Sequence, residues 1–297
     1  MSLLVVGTVP LEPGRVLSGR ASVSPGGELL VGDEPVPATQ GSSAMLLAAL
    51  AVSGHLGVEP PQALLGGDIG RGDGTRRVYE HLHETVLRER PDVVAFHYLQ
   101  PIMSLMRECV GKLLALTPRP LLVADAGAMY AAKASGVGSA FELMTPDVGE
   151  VGFLADPAAS HPAYVARHLF GACDFDPQEL ARQAHELGAS ARVLLVKGQT
   201  DHVAVEGEIV ARTDSPSVPC LEAIGGTGDT ITGLAAGLMS AGFPTPDAAI
   251  CATRVNRRAG ALLGARPDQT AADLAARFPE VLAADLCALS LGGPSTT

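Results

Sequence analysis

The chain has 297 residues, of which 47% are apolar and 18% are charged, and this composition excludes an intrinsically disordered protein. The net charge of −11 argues against a nucleic-acid partner and an anionic membrane surface, although a nucleotide can still bind through local hydrogen-bond donors. The five cysteines show no metal-ligand or disulfide spacing, so we expect free buried thiols and a reducing, cytoplasmic location. We expect one domain over residues 1–297, no membrane-spanning segment, and a frayed tail at 291–297.

Short apolar segments alternate with longer amphipathic segments along the chain. This alternation predicts an α/β fold whose mostly parallel central sheet is covered by helices on both faces, a three-layer α/β/α architecture. Residues 8–40 are expected to be irregular or hairpin-like, and residues 155–175 an inserted loop and helix. The predicted strands are 3–6, 63–66, 92–96, 120–124, 141–144, 192–196, 202–205 and 209–212. The predicted helices are 42–53, 75–89, 102–116, 127–134, 147–154, 176–188, 229–241, 245–263 and 271–284.

The most informative segment is Gly225–Gly233, in which a glycine-rich turn runs directly into a helical pattern. Such a turn leaves the first backbone N–H groups of the helix without partners, and those donors suit a phosphate or a developing oxyanion. Asp229 lies at the mouth of this turn, where its carboxylate could accept a proton from a substrate hydroxyl. The alternative is an ordinary glycine-rich loop in which Asp229 only caps the helix.

Polar residues follow several of the predicted strands. Asp125 follows the strand at 120–124, Asp147 and Glu150 follow 141–144, and Lys197 follows 192–196. In open α/β sheets, ligands bind beyond the carboxyl ends of the strands, so we expect these side chains along one edge with Asp229. The alternatives are a helix cap for Asp125, helix-start acids for Asp147 and Glu150, and a solvated strand end for Lys197.

Two further groups of polar residues are less informative. The histidines show no metal-ligand spacing beyond His81 and His83, whose side chains point apart on a helix, so we assign them no metal. Asp68 and Asp73 lie in the glycine-rich segment 66–74, which is either a substrate loop or a plain surface turn.

Four segments in chain order match the motifs of one superfamily. Leu122–Met129 resembles D-A-D-A-L-N, and Leu143–Glu150 resembles L-T-P-H-P-G-E. Val196–Thr200 resembles L-K-G-x-x-T, and Gly226–Gly233 resembles G-T-G-D-V-L-A-G. On these motifs the chain resembles the ribokinase-like superfamily, and more narrowly its ATP/ADP-dependent NAD(P)H-hydrate dehydratase branch.

The resemblance extends over residues 120–285. Residues 271–282 resemble the last helix of the dehydratase branch, and Gly41–Ala44 with the apolar segment after it loosely resembles the first helix. The resemblance implies a ribokinase-like fold, with ATP or ADP and Mg²⁺ as the species bound. The sequence leaves the oligomeric state open, and relatives of this fold often associate into homo-oligomers.

The departures from the family pattern concern the side of the site that would hold the second substrate. Gly127 stands where the family has its second Asp, Tyr130 where it has Asn, and Asp147 where it has His. The G-P-G-L-G turn, which helps to form the hydrate-binding side, is replaced by residues 96–101. The pair Asp147-x-x-Glu150 instead resembles the N-x-x-E magnesium and phosphate motif of the sugar-kinase branch.

These patterns lead to a set of expected site residues. The catalytic residues are Asp229, Gly226 and Gly228. The substrate-binding residues are Gly41, Ser42, Asp125 and Asp147, and the magnesium-binding residue is Glu150. The nucleotide-binding residues are Lys197, Gly198, Gln199, Thr200, Asp201, Gly225, Thr227 and Asn256.

Three functions are compatible with the sequence. The resemblance favours a dehydratase, in which Asp229 activates the hydroxyl of hydrated NAD(P)H for phosphorylation, phosphate then leaves, and the C=C bond is restored. The second is a kinase of a sugar, vitamin or other small alcohol, which stops at the phosphate ester. The third is a non-catalytic nucleotide-binding protein, against which the retention of Asp229 and the glycine-rich turn argues. In each case we expect a nucleotide and, in the first two, a small-molecule substrate.

Overall fold

The structure, a computed structural model, describes residues 1–159 and 176–291, with side chains placed as far as Ala284. The loop and helix expected at 155–175 lie outside the described residues from residue 160 onward, and so does the expected tail from residue 292 onward. Within the described part, no helix is both long and apolar enough to cross a membrane. Cys109 and Cys251 are free and buried as expected, but Cys220 is free and exposed because it lies on a 3-10 turn with no buried residue.

The described residues alternate between strands and helices, as the sequence predicts. The strands are β1 (Leu3–Val9), β2 (Val16–Val23), β3 (Leu29–Val31), β4 (Glu34–Pro35), β5 (Gln62–Gly67), β6 (Val93–His97), β7 (Leu121–Ala124), β8 (Leu143–Met144), β9 (Val193–Val196), β10 (Asp201–Val205) and β11 (Glu208–Thr213). The helices are α1 (Ser42–Leu56), α2 (Asp73–Glu89), α3 (Met103–Leu114), α4 (Gly127–Ala134), α5 (Val148–Ala155), α6 (Pro177–Glu186), α7 (Thr227–Ser240), α8 (Thr245–Leu263), α9 (Ala271–Ala275) and α10 (Phe278–Leu291).

The strands form one sheet in the order β11-β10-β9-β8-β7-β6-β1-β5-β2-β3-β4. The central strands β5, β1, β6, β7, β8 and β9 pair in parallel, whereas β10, β11 and β2 to β4 are added in antiparallel pairs. Because parallel strands end at the same edge, the loops after β1 and β5 to β9 meet there. This is the edge at which the sequence predicts the site.

Helices cover both faces of the sheet, which confirms the three-layer prediction. On β1, Val5 packs into one core together with Met45 of α1 and Leu234 of α7. The adjacent Leu4 packs into a second core on the other face, with Leu82 of α2. Strands buried on both faces read as continuous apolar runs, which is why the central strands are visible in the sequence.

Two local predictions are wrong or incomplete. The hairpin-like interpretation of residues 8–40 is confirmed by the antiparallel strands β2, β3 and β4, but the pairing of β2 with β5, which extends the sheet, was not predicted. The helix predicted at 271–284 is divided into α9 and α10. The division precedes Pro279, which has no N–H to continue the hydrogen bonds of α9 and is tolerated in the first turn of α10.

The contact between α1 and α7 carries a prediction about stability. A Cβ added at Gly233 would lie 2.2 Å from the carbonyl oxygen of Met45, so Gly233→Ala forces the two helices apart. We expect a loss of about 1–3 kcal/mol in the free energy of unfolding, the usual cost of overpacking. Gly54→Ala is the matched control, because a Cβ there meets nothing within 4 Å and alanine is the better helix former. Urea unfolding of both variants checks this, and equal stabilities would contradict the packing argument.

Candidate active site

A cavity of about 820 Å³ opens at the carboxyl edge of the parallel strands. The structure brings most of the predicted site residues to its wall. Thr200, Gly225, Gly226, Gly41 and Ser42 are not part of the lining. The predicted residues that line the cavity are Asp125, Asp147, Glu150, Lys197, Gly198, Gln199, Asp201, Thr227, Gly228, Asp229 and Asn256.

The glycine-rich turn forms the N-terminus of α7. Gly226 is the N-cap residue, with a φ of 91° that favours glycine, and no side chain caps the helix. Asp229 is therefore not the cap, and the alternative that treats it as an ordinary N-cap is wrong. The N–H groups of the first turn are free of side-chain caps and lie beside the Lys197 ammonium, whose Nζ would be 3.5 Å from a Cβ at Gly228. This arrangement suits an anionic group.

The Asp229 carboxylate is held by two donors from distant parts of the chain. Its Oδ2 accepts a hydrogen bond from the Gly41 backbone N–H at 2.6 Å, and its Oδ1 lies 3.0 Å from Nε2 of His97. Burial alone would raise the pKa of Asp229, but the contacts with His97, Lys197 and the Gly41 N–H outweigh burial and lower it. Asp229 is therefore ionised at neutral pH and can accept a proton.

Asp125 and Lys197 form a buried ion pair. The Lys197 Nζ lies 2.9 and 3.1 Å from the two carboxylate oxygens of Asp125, which also accept hydrogen bonds from Thr232 Oγ1 at 2.5 Å and the Ala126 N–H at 2.8 Å. Ala126, not Asp125, is the N-cap residue of α4. Burial lowers the pKa of Lys197, but the carboxylates of Asp125, Glu150 and Asp229 outweigh it, and the net pKa is raised. The alternatives of a helix cap for Asp125 and a solvated strand end for Lys197 are therefore wrong.

Asp147 and Glu150 line the cavity and also begin α5. The Asp147 Oδ1 accepts from the Glu150 N–H at 2.7 Å, and the Glu150 Oε2 accepts from the Asp147 N–H at 2.8 Å, which is a capping box. The interpretation of both residues as helix-start acids is thus confirmed. Both residues also line the cavity. Burial raises the pKa of Glu150 to about 7; Lys197 opposes this shift, and Asp125 and Asp147 add to it. Asp147 is exposed and Glu150 is half-buried, and carboxylate oxygens close together at a cavity wall are suitable ligands for a hard cation such as Mg²⁺.

The turn after β9 is fixed by a residue that the sequence analysis missed. Arg257 of α8 donates from Nε to Asp201 Oδ2 at 2.7 Å and from Nη2 to the carbonyl oxygens of Gly198 and Gln199 at 2.8 and 2.9 Å. The other oxygen of Asp201 accepts from the Gly198 N–H at 3.0 Å. Asp201 thus fixes, through these hydrogen bonds, the conformation of the predicted nucleotide-binding turn at residues 197–200. Its partner, Arg257, stands out in the sequence only as a charged residue on a buried helix face.

His97 and Tyr98 are also missed by the sequence analysis, although they directly follow the strand pattern that identified the other strand-end residues. His97 is fully buried at the end of β6, and its ring packs edge-on against Tyr98 with centroids 4.4 Å apart. Tyr98 has a φ of 50° and its ring would lie 2.5 Å from a Cβ at Gly41. The Tyr98 ring therefore requires glycine at position 41, and it closes the cavity over His97.

The Asp68 loop does not line the cavity. Its carboxylate accepts hydrogen bonds from the N–H groups of Gly70, Arg71, Gly72 and Thr75, which stabilises the turn before α2. Burial raises the pKa of Asp68, but these N–H groups outweigh it and the net pKa is lowered. This geometry favours the plain surface turn over the substrate loop.

The comparison with protein families finds a family whose profile covers much of the described site. The profile of the family described as NAD(P)H-hydrate dehydratase matches residues 106–279, which is more than half of the chain. The chain belongs to this NAD(P)H-hydrate dehydratase family. An uncharacterized protein of Methanocaldococcus jannaschii is 37% identical over 216 residues, which cover 73% of this chain and 88% of that protein. A bifunctional NAD(P)H-hydrate repair enzyme of Hyperthermus butylicus is 39% identical over 92 residues, or 30% of this chain and 17% of that protein.

Solved structures support the ribokinase-like fold. A ribokinase-like superfamily protein of Enterococcus faecalis has a TM-score of 0.61 and 15% identity, covering 95% of this chain and 87% of that one. The ADP/ATP-dependent NAD(P)H-hydrate dehydratase of Bacillus subtilis, co-crystallized with ATP and Mg²⁺, has a TM-score of 0.55 and 16% identity, covering 95% and 89%. The pyridoxal kinase of Staphylococcus aureus in complex with AMP-PCP has a TM-score of 0.54 and 15% identity, covering 86% and 87%.

The family match divides the site into two parts. It includes Asp125 and Lys197, which follow two strands, and Asp229 in the first turn of α7, but it begins at residue 106 and so excludes Gly41 and His97. The excluded residues nevertheless hold Asp229 directly. The family match therefore covers the residues of the cavity wall that include Asp229, but not the two residues that hold its carboxylate.

Proposed function

We propose that this protein is a nucleotide-dependent NAD(P)H-hydrate dehydratase that uses ATP or ADP as phosphoryl donor. The observation that carries the proposal is the ionised Asp229 at the wall of the cavity, beside the uncapped start of α7 and the Lys197 ammonium. Membership of the dehydratase family supports hydrated NAD(P)H as the substrate. Relatives of the same fold in complex with ADP, ATP or AMP-PCP support nucleotide use.

The residues of this chain have distinct roles in the proposed reaction. The donor phosphates lie over the Lys197–Thr200 turn and the Gly225–Gly228 turn, where Lys197 and the backbone N–H groups of α7 neutralise their charge. Asp229 accepts the hydroxyl proton of the hydrate as the hydroxyl oxygen attacks the terminal phosphorus and the nucleotide leaves. The phosphate ester then departs as inorganic phosphate, and loss of a proton from the ring restores the C=C bond.

A magnesium ion fits the carboxylates of the cavity. Glu150, with its pKa raised to about 7 by burial and by nearby carboxylates, gains most from a cation, and Asp147 lies beside it. The ion would supply charge neutralisation for the donor phosphates. Tyr130 donates a hydrogen bond of 3.3 Å to Glu150 Oε1 and so orients this carboxylate in the cavity wall.

A kinase of a small alcohol is the second candidate, because the charge of the cavity wall favours it. Among the described lining residues, Lys197 and Arg257 are the cations, and both are paired with carboxylates. An acceptor that carries phosphates of its own would find no unpaired cation among these lining residues to neutralise its charge. An uncharged or cationic alcohol needs no such cation. The carboxylates of the lining are Asp125, Asp147, Glu150, Asp201, Glu222 and Asp229.

Product analysis decides between these functions. The protein is incubated with Mg²⁺, with ATP or ADP, and with either hydrated NADH or a panel of small alcohols. The dehydratase is expected to release inorganic phosphate and to regenerate NADH, which is followed by its absorbance. A stable phosphorylated alcohol with no recovery of NADH would overturn the dehydratase in favour of the kinase. Nucleotide binding without turnover of any acceptor would overturn both.

A further inference from the structure

His97 is a buried polar residue that the proposed reaction has not yet used. Its side chain is 0% exposed, and its Nε2 lies 3.0 Å from Asp229 Oδ1. Because the Asp229 carboxylate is ionised and can only accept hydrogen bonds, Nε2 must carry a hydrogen and donate it. The contact joins the end of β6 to the first turn of α7, across 132 positions of sequence.

The Asp229 carboxylate is fixed by one donor on each oxygen. His97 binds Oδ1, and the Gly41 N–H binds Oδ2 at 2.6 Å. A carboxylate has about four lone-pair sites, so the sites that remain are held in a set direction at the cavity wall. Loss of the His97 donor would leave the carboxylate free to rotate about its χ2 angle, held by Gly41 alone.

The second ring nitrogen of His97 lies beside the buried hydroxyl of Ser42. Nδ1 lies 3.4 Å from Ser42 Oγ, which donates to the carbonyl oxygen of Thr8 at 3.1 Å. These contacts hold the imidazole ring in place and with it the direction of Nε2 toward Asp229. Because Ser42 is itself 0% exposed, its hydroxyl is beyond the reach of a substrate and the series is not a nucleophilic triad.

We propose that His97 is the positioning residue of Asp229: the hydrogen bond from its Nε2 aims the carboxylate at the substrate hydroxyl. The proposal rests on the proposed function, in which Asp229 accepts the hydroxyl proton.

The groups around His97 surround its ring on every side. Asp229 of α7 contacts Nε2, and Asp125 after β7 lies 3.7 Å from the same atom. Lys197 after β9 is bound to Asp125 and partly offsets its charge. The Tyr98 ring covers the imidazole and burial raises the pKa of its hydroxyl to about 12, so Tyr98 stays neutral in the working range. The remaining neighbours, Ser42 and Thr8, are uncharged.

Two substitutions separate positioning from a structural role. His97→Leu removes the donor, and we expect kcat to fall on the order of 10²-fold with unchanged nucleotide affinity, since misplacing a reacting group costs about this much. His97→Gln keeps an N–H donor toward Oδ1, so it should restore most of the rate. His202→Gln on β10, outside the cavity lining, is the control. A wild-type kcat in His97→Leu, or a kcat in His97→Gln as low as that in His97→Leu, would overturn the proposal.

A measurement without an acceptor distinguishes failure of this proposal from failure of the proposed function. The histidine ring N–H signals of the wild type and of Asp229→Asn are compared by NMR at one pH. Removing the carboxylate ends the charge-assisted hydrogen bond from Nε2, so one ring signal, that of His97, should move. If no histidine ring signal moves, the contact does not exist and the proposal fails, whether or not the wild type turns over hydrated NADH.

Discussion

Replacing Asp229 by asparagine is expected to lower turnover by a factor on the order of 10² to 10⁴, the usual cost of removing a general base. Nucleotide affinity should stay close to that of the wild type, because the phosphates contact the backbone of α7 and Lys197. The substitution is sterically matched and its hydrogen bonds can be satisfied. The asparagine oxygen accepts from the Gly41 N–H, and His97 changes tautomer so that Nε2 accepts from the new NH₂ group.

The measurement is steady-state phosphate release, with nucleotide affinity determined in parallel by calorimetry. Asp247→Asn provides a matched control, because Asp247 occupies the first turn of α8 just as Asp229 occupies the first turn of α7, but it does not line the cavity. The control should keep the wild-type rate. If Asp229→Asn also keeps most of that rate, Asp229 only stabilises the start of its helix and the proposed mechanism is wrong.

The position of the site was predictable because it depends on a general property of parallel sheets. Asp125, Asp147 and Lys197 each follow a buried apolar strand, and parallel strands end at the same edge. The start of α7 was visible because adjacent glycines precede a helical pattern. Each of these signals is local, so the sequence carries it without knowledge of tertiary contacts.

The errors in the fold come from segments whose conformation depends on tertiary context. The strands β3 and β4 are short, all three strands lie in a region rich in Pro and Gly, and β2 joins the sheet by pairing with β5. The break between α9 and α10 was hidden by alanines that continue the helical pattern. Pro279 was the available signal, since proline lacks the N–H that a continuous helix needs and is typical of a first helical turn.

The missed site residues share a different cause. His97 and Arg257 act through partners 132 and 56 positions away in sequence, and no periodic pattern reports such contacts. Tyr98 lies where the family motif is replaced, so the resemblance gave no guidance there. His97 nevertheless follows a predicted apolar strand just as Asp125 does, so the sequence contained a signal of the same kind. The histidines have no metal-ligand spacing, and that criterion alone does not reveal a histidine that contacts a carboxylate.

The second large effect is expected from Lys197→Met, which should lower both the nucleotide affinity and the free energy of unfolding. The ammonium is the charge-assisted donor proposed for the nucleotide phosphates, and such hydrogen bonds contribute about 1.5–3 kcal/mol, so nucleotide affinity should fall on the order of tenfold or more. The substitution also leaves the Asp125 carboxylate, whose side chain is 2% exposed, without its partner. Breaking a buried ion pair costs about 3–5 kcal/mol of folding free energy.

The double substitution Lys197→Met with Asp125→Asn separates these two effects. Neutralising Asp125 removes the unpaired buried charge, so the double variant should regain much of the stability lost in Lys197→Met. Its nucleotide affinity should stay low, because the donor is still absent. Urea unfolding and calorimetric titration with ATP measure the two quantities on the same samples. Wild-type nucleotide affinity in both variants would remove Lys197 from the phosphate site, and a double variant no more stable than Lys197→Met would show that the ion pair does not hold this part of the fold.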